Sequence, residues 1–130
     1  NCLVVNTTGE LKYFYEQATI IFVGKSLTAE GGQNPIEPGA LGKAMVFGPN
    51  MQNFAEVVRD LLEQNGAVQV RDAAELEQVL GELLAEESRR EQLGRNALKV
   101  VRENLGAIDR TADMIIGHLA TSGRYPASLP

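Results

Sequence analysis

The chain has no tryptophan, one cysteine and one histidine among its 130 residues, and aromatics make up 5% of it. Each scarcity excludes something. So few rings leave no platform on which the bases of a single-stranded nucleic acid could stack. Cys2 alone cannot close an intramolecular disulfide, and Cys2 with His118 cannot furnish an ordinary zinc site. No metal and no cofactor are expected, and a lone thiol suits a reducing compartment. Lys and Arg number 12 against 17 Asp and Glu, a formal charge of −5. That removes the basic face a phosphate backbone needs, so no nucleic-acid partner is expected. No apolar run reaches the length of a membrane span, and no secretory leader is visible. The chain opens on Asn1 without a methionine and runs straight into apolar residues, which reads as a cut inside a longer protein.

What is present is an ordinary apolar content of 44%, enough to argue against disorder and for one domain or part of one. Leu3-Val4-Val5 reads as a short buried strand, and Thr7-Thr8-Gly9 as a turn into a helix carrying Leu11, Phe14, Tyr15 and Ala18 on one face. Thr19 to Val23 is a second strand, apolar enough to be covered on both faces. A glycine-rich stretch, a short helix over Pro35–Leu41 and a third strand over Ala44–Phe47 follow. Phe54, Val57, Val58, Leu61 and Leu62 form a helical stripe that stops at Asn65-Gly66. A fourth strand, Ala67–Val70, leads to a helix with Leu76, Val79, Leu80, Leu83 and Leu84. Two further helices are expected over about Arg89–Asn104 and Ala107–Leu119. Alternation at this spacing predicts an α/β fold, a Rossmann-like parallel sheet with flanking helices. Residues 1–120 form the domain and 121–130 a flexible tail.

In such sheets ligands gather where strands end and helices begin. The eleven residues from Gly24 to Asn34 form a loop at one such place. Gly31-Gly32 permit positive φ and close approach to the backbone, Asn34 suits a helix cap, and Pro35 the first helical position. The amides of that first turn suit a phosphate. The bland reading is that Asn34-Pro-Ile-Glu37 is a capping box, with the glutamate reaching back to the cap residue's own N–H. Asp72-Ala-Ala-Glu75 and Ser88-Arg-Arg-Glu91 repeat the pattern without glycines before them. Capping accounts for a glutamate at that spacing but not for the glycine pair or the long loop, so the residues alone leave both readings open. Thr8-Gly9-Glu10 is a second helix-start turn, expected on the same sheet edge, and Gly48-Pro49-Asn50 with Asn53 a third.

Taken together, GEL, FVGKSL, GGQNPIEPGALGKAMVFGP and NF resemble the Kdo transferases of lipopolysaccharide synthesis. These are GT-B glycosyltransferases that move 3-deoxy-D-manno-octulosonic acid (Kdo) from CMP-Kdo to lipid A precursors. The resemblance runs over about Thr8 to Ile116. The chain departs from the family's FVGGS and GGHNPLE with Lys25 for glycine, Gln33 for histidine and Ile36 for leucine. The resemblance implies a partial C-terminal donor-binding domain of GT-B type. Its CMP-Kdo contacts would fall on Thr8, Gly9 and Glu10, and on Gly31, Gly32, Asn34, Pro35, Ile36 and Glu37, with Ser26 as a further loop contact. Glu37 would accept the ribose hydroxyls, since a carboxylate's two oxygens can take two O–H donors.

The same resemblance implies inverting transfer, with the general base on an N-terminal domain that this chain lacks. The fragment is therefore expected to have no catalytic residue of its own, to be inactive alone and to be soluble. Acceptor binding and membrane association, at the cytoplasmic face of the inner membrane, would belong to the missing part. An unpaired sheet edge would favour dimerisation. Two rivals stand beside this: a UDP-sugar transferase or epimerase of the same architecture, and a non-catalytic interaction domain. His118 and the mixed charges from Glu82 to Arg95 read as ordinary surface.

Overall fold

The structure is a computed structural model and describes residues 1–121. Three short parallel strands form its centre: β1 (Ile20–Phe22), β2 (Ala44–Phe47) and β3 (Val68–Gln69), in the order β1-β2-β3. Ile20 pairs with Ala44 and Val46 with Val68. Around the strands run α1 (Leu11–Gln17), α2 (Ile36–Ala40), α3 (Ala55–Glu63), α4 (Ala73–Ala85) and α5 (Glu87–Thr121), with one 3-10 turn at Gln52–Phe54.

β2 explains the layering. All four of its residues are buried, and their side chains alternate between the two faces of the sheet. Met45 and Phe47 join Val57, Val58 and Leu61 of α3 and Ala97 and Val100 of α5 in one cluster. Ala44 and Val46 join Val79 and Leu83 of α4 and Leu93 of α5 in the other. The stop after α3 is a Schellman motif: Gly66 N bonds Leu61 O and Asn65 N bonds Leu62 O, with Asn65 at φ 53°. The Asn-Gly signal thus ends the helix through the asparagine, while Gly66 lies against the backbone of Ala97.

Several expectations are corrected. Leu3-Val4-Val5 is not a strand; the three residues are exposed, and among the described residues no strand lies beside them to take their backbone hydrogen bonds. The sheet therefore has three strands rather than four. β1 is not covered on both faces: Ile21 is buried on one, while Phe22 on the other is 39% exposed. The two last helices are one, continuous through Gly106. A single glycine costs a helix only about 1 kcal/mol, too little to end one without a proline or cap. Ser88 caps nothing, since α5 begins at Glu87 and Ser88 lies inside its first turn. Thr121, assigned to the tail, is still helical, and the rest of that tail lies outside the described residues. None of the described helices is long and apolar enough to cross a membrane.

Candidate functional site

The loop after β1 is built against the loop after β2. Ser26 is fully buried; its hydroxyl donates to Val23 O at 2.5 Å and accepts from Gly48 N at 2.8 Å, while Ser26 O accepts from Asn50 N at 2.9 Å. Farther along, Gly31 N donates to Gln52 Oε1 at 2.9 Å, and Asn53 N donates to Gly31 O at 3.3 Å. Gly31 and Gly32 have φ of 97° and 65°, and any Cβ would run into Asn53 at the first and Met51 at the second. The pair is thus required by the chain's own packing. The Gly48–Asn53 segment, expected to open on the site, instead closes over this loop.

Past the glycines, Pro35 is buried and Asn34 Oδ1 accepts from Ile36 N at 2.9 Å, an Asx turn leading into α2, whose N-cap position falls on Pro35 rather than on the expected Asn34. The expectation of several free amides there is corrected. Pro35 and Pro38 have no N–H, Ile36 N is taken by Asn34, and Gly39 N bonds Pro35 O. Only the amide of Glu37 is left to that turn.

The three expected capping boxes behave differently. Asp72 accepts from Glu75 N at 2.9 Å, and Glu75 accepts from Arg71 N at 2.7 Å and Arg71 Nε at 3.0 Å, one residue before the cap. These bonds hold the Glu75 carboxyl below its usual pKa. Glu91 turns forward to Arg95. Glu37 does neither. Its side chain is exposed and makes no hydrogen bond or ion pair with any described residue.

Glu37 instead lines a cleft of about 520 Å³ with Ala40, the last residue of α2, and Leu41 just after it on one wall, and Gly9, Leu11, Lys12 and Glu16 on the other. Two turns singled out from sequence thus meet here, brought together by α1 packing on α2 rather than by a shared sheet edge. Gly9 has φ 86° with nothing within 4 Å of where a Cβ would be. Thr8 is exposed, and Glu10 accepts from Thr7 Oγ1 at 2.5 Å as α1 begins. Lys12 is the one cation among the described residues that line the cleft, its ammonium 4.9 Å from the centre of the Tyr13 ring. Burial, and then the charge of Glu37, raise the pKa of the Tyr15 hydroxyl above the usual tyrosine range.

Of the residues expected at the site, Gly9 and Glu37 share the cleft, with Thr8 and Glu10 flanking Gly9 and Ile36 flanking Glu37 in the chain. Ser26, Gly31, Gly32, Asn34 and Pro35 shape the loop that delivers α2. Lys12, Glu16, Ala40 and Leu41 were not anticipated. They lie on faces of two short helices, and which faces oppose each other depends on helix packing that no local motif encodes.

Fold and cleft together define a Rossmann-like α/β domain with a cleft between two helix-start turns. No family model matches the chain. The 3-deoxy-D-manno-octulosonic acid transferase of Haemophilus influenzae (strain Rd) is 37% identical to it over 115 residues, 88% of this chain and 27% of that protein. The Bordetella pertussis enzyme of the same name is 34% identical over 113 residues, 87% of this chain and 26% of that protein. The crystal structure of the C-terminal CMP-Kdo binding domain of WaaA from Acinetobacter baumannii superposes with a TM-score of 0.70 at 33% identity, covering 75% of this chain and 51% of that one. The chain belongs to the 3-deoxy-D-manno-octulosonic acid transferase family, and spans about a quarter of the length of the curated relatives it matches.

Proposed function

We propose that this chain is the donor-binding part of an inverting glycosyltransferase that moves Kdo from CMP-Kdo to a lipid A precursor in lipopolysaccharide synthesis. The observation that carries the reading is the unengaged carboxylate of Glu37, facing Gly9 across the cleft. Two other glutamates at the same spacing use their carboxylates on their own helix or its approach, and this one does not. A carboxylate without partners among the described residues, on a cleft that also carries the Lys12 ammonium, suits a ribose diol beside a phosphate. Similarity to a protein whose solved domain is described as CMP-Kdo binding supports the same assignment.

Thr8, Gly9 and Glu10 contact the nucleotide from the α1 side, and Ile36 and Glu37 from the α2 side, where Asn34 and the buried Pro35 turn the chain into the helix. Ser26, Gly31 and Gly32 act by holding the loop, since the Ser26 hydroxyl and the Gly31 amide are already bonded within the chain. The transfer step needs a general base. In this reading the base, the acceptor site and the membrane contact lie in other parts of the whole enzyme, at the cytoplasmic face of the inner membrane.

Titration with nucleotides tests this. The chain should bind CMP in preference to UDP and, supplied with CMP-Kdo and acceptor, should show no turnover. Preference for UDP would favour the rival class of nucleotide-sugar enzymes, and turnover by this chain would overturn the division of labour.

A further inference from the structure

α1 is held to the domain by little. None of its seven residues is buried, and it packs on α2, itself a five-residue helix. Its last turn also leaves backbone carbonyls without intrahelical partners, and carries no Lys, Arg or His to meet them. One of these carbonyls is met from a distant part of the chain. Lys43, in the turn between α2 and β2, donates its Nζ to Glu16 O at 2.7 Å, across 27 residues. The root of that side chain is fixed: Lys43 N bonds Pro38 O at 3.1 Å, and the next residue, Ala44, is buried in β2. The ammonium is thus positioned by α2 and the sheet, while its acceptor belongs to α1. Cation and carbonyl also have the signs that suit a helix C-terminus.

This bond joins the two walls of the cleft. Gly9, Leu11, Lys12 and Glu16 stand on the α1 side, and Glu37, Ala40 and Leu41 on the α2 side. We infer that Lys43 is a positioning residue of the donor site: it lines no part of the cleft, but fixes the α1 wall against the α2 wall. The inference rests on the donor reading for its consequence, though the tether itself does not.

The test compares Lys43→Met, which keeps the stem and loses the donor, with Lys43→Arg, which keeps a donor. Hydrogen exchange of the α1 amides in Lys43→Met should quicken about tenfold, with β2 and α3 unaltered. CMP affinity should fall roughly fivefold to tenfold, with the main thermal transition unmoved. Lys43→Arg should restore both. Unchanged α1 exchange would overturn the tether, as would exchange quickened throughout β2, which would make Lys43 a residue of the fold. Looser α1 with undiminished CMP affinity would overturn the positioning role. If the unaltered chain bound no CMP, the donor reading would fail while the exchange measurement still judged the tether.

Discussion

Two glycine turns approach the site, and they are glycine for different reasons. At Gly31-Gly32 the chain's own Met51 and Asn53 occupy the space a Cβ would need, and Gln52 takes the Gly31 amide. At Gly9 a Cβ would meet nothing, and only the φ of 86° asks for glycine. The first turn is part of the fold, and in the proposed donor site its contribution is to set the entry of α2. The second stands at the open wall of a cleft, on a helix tethered rather than buried. On that reading a glycine-rich loop beside a helix start need not touch a ligand for the helix it delivers to do so.

The largest expected effect breaks this comparison most directly. Gly32→Ala combines left-handed strain with a collision inside the packed loop and should cost about 3 kcal/mol of unfolding free energy. Gly9→Ala carries only the strain, about 1 kcal/mol, in a segment that can shift into open space. Urea melts of both would check it; equal losses would mean the two turns are not distinguished by packing.

A smaller effect sharpens the contrast among the helix starts. Asp72→Ala removes a working cap and should cost about 1 kcal/mol. Ser88→Ala, inside the first turn of α5 with no cap bond, should stay within about 0.5 kcal/mol of the unaltered chain. Thermal or urea melts again decide.

The smallest effect is on a titration. Burial and the Glu37 charge raise the Tyr15 pKa, so the folded state favours the neutral phenol. The stability this gives is present below the usual tyrosine pKa and is lost as pH rises through the raised one. Glu37→Gln should bring the Tyr15 titration back part of the way, because burial is the larger cause. NMR titration of the tyrosine rings would show no movement if Glu37 did not face α1.

Much of this was legible beforehand. A continuous apolar run between turn signals marks β2 to the residue at Ala44–Phe47, and an unambiguous period marks the α3 stripe. Leu3-Val4-Val5 failed because an apolar run becomes a strand only beside another. Gly106 failed because a helix long enough absorbs one glycine. At the site, Glu37 and Gly9 were visible as helix-start residues, yet the sequence could not tell an engaged carboxylate from a free one. Arg71 takes Glu75 and Arg95 takes Glu91, and no described residue takes Glu37. Lys12 and Lys43 matter through contacts between segments, which carry no local pattern.

The central claim is that Glu37 is held for a nucleotide rather than for its own helix. Calorimetric titration of CMP into the unaltered chain and into Glu37→Ala, beside urea melts of both, tests it in one comparison. The account predicts an affinity loss of about tenfold or more, as expected for hydrogen bonds to a charged group, with less than about 0.5 kcal/mol of stability lost. Unchanged CMP affinity, or an affinity loss matched by an equal loss of stability, would contradict it.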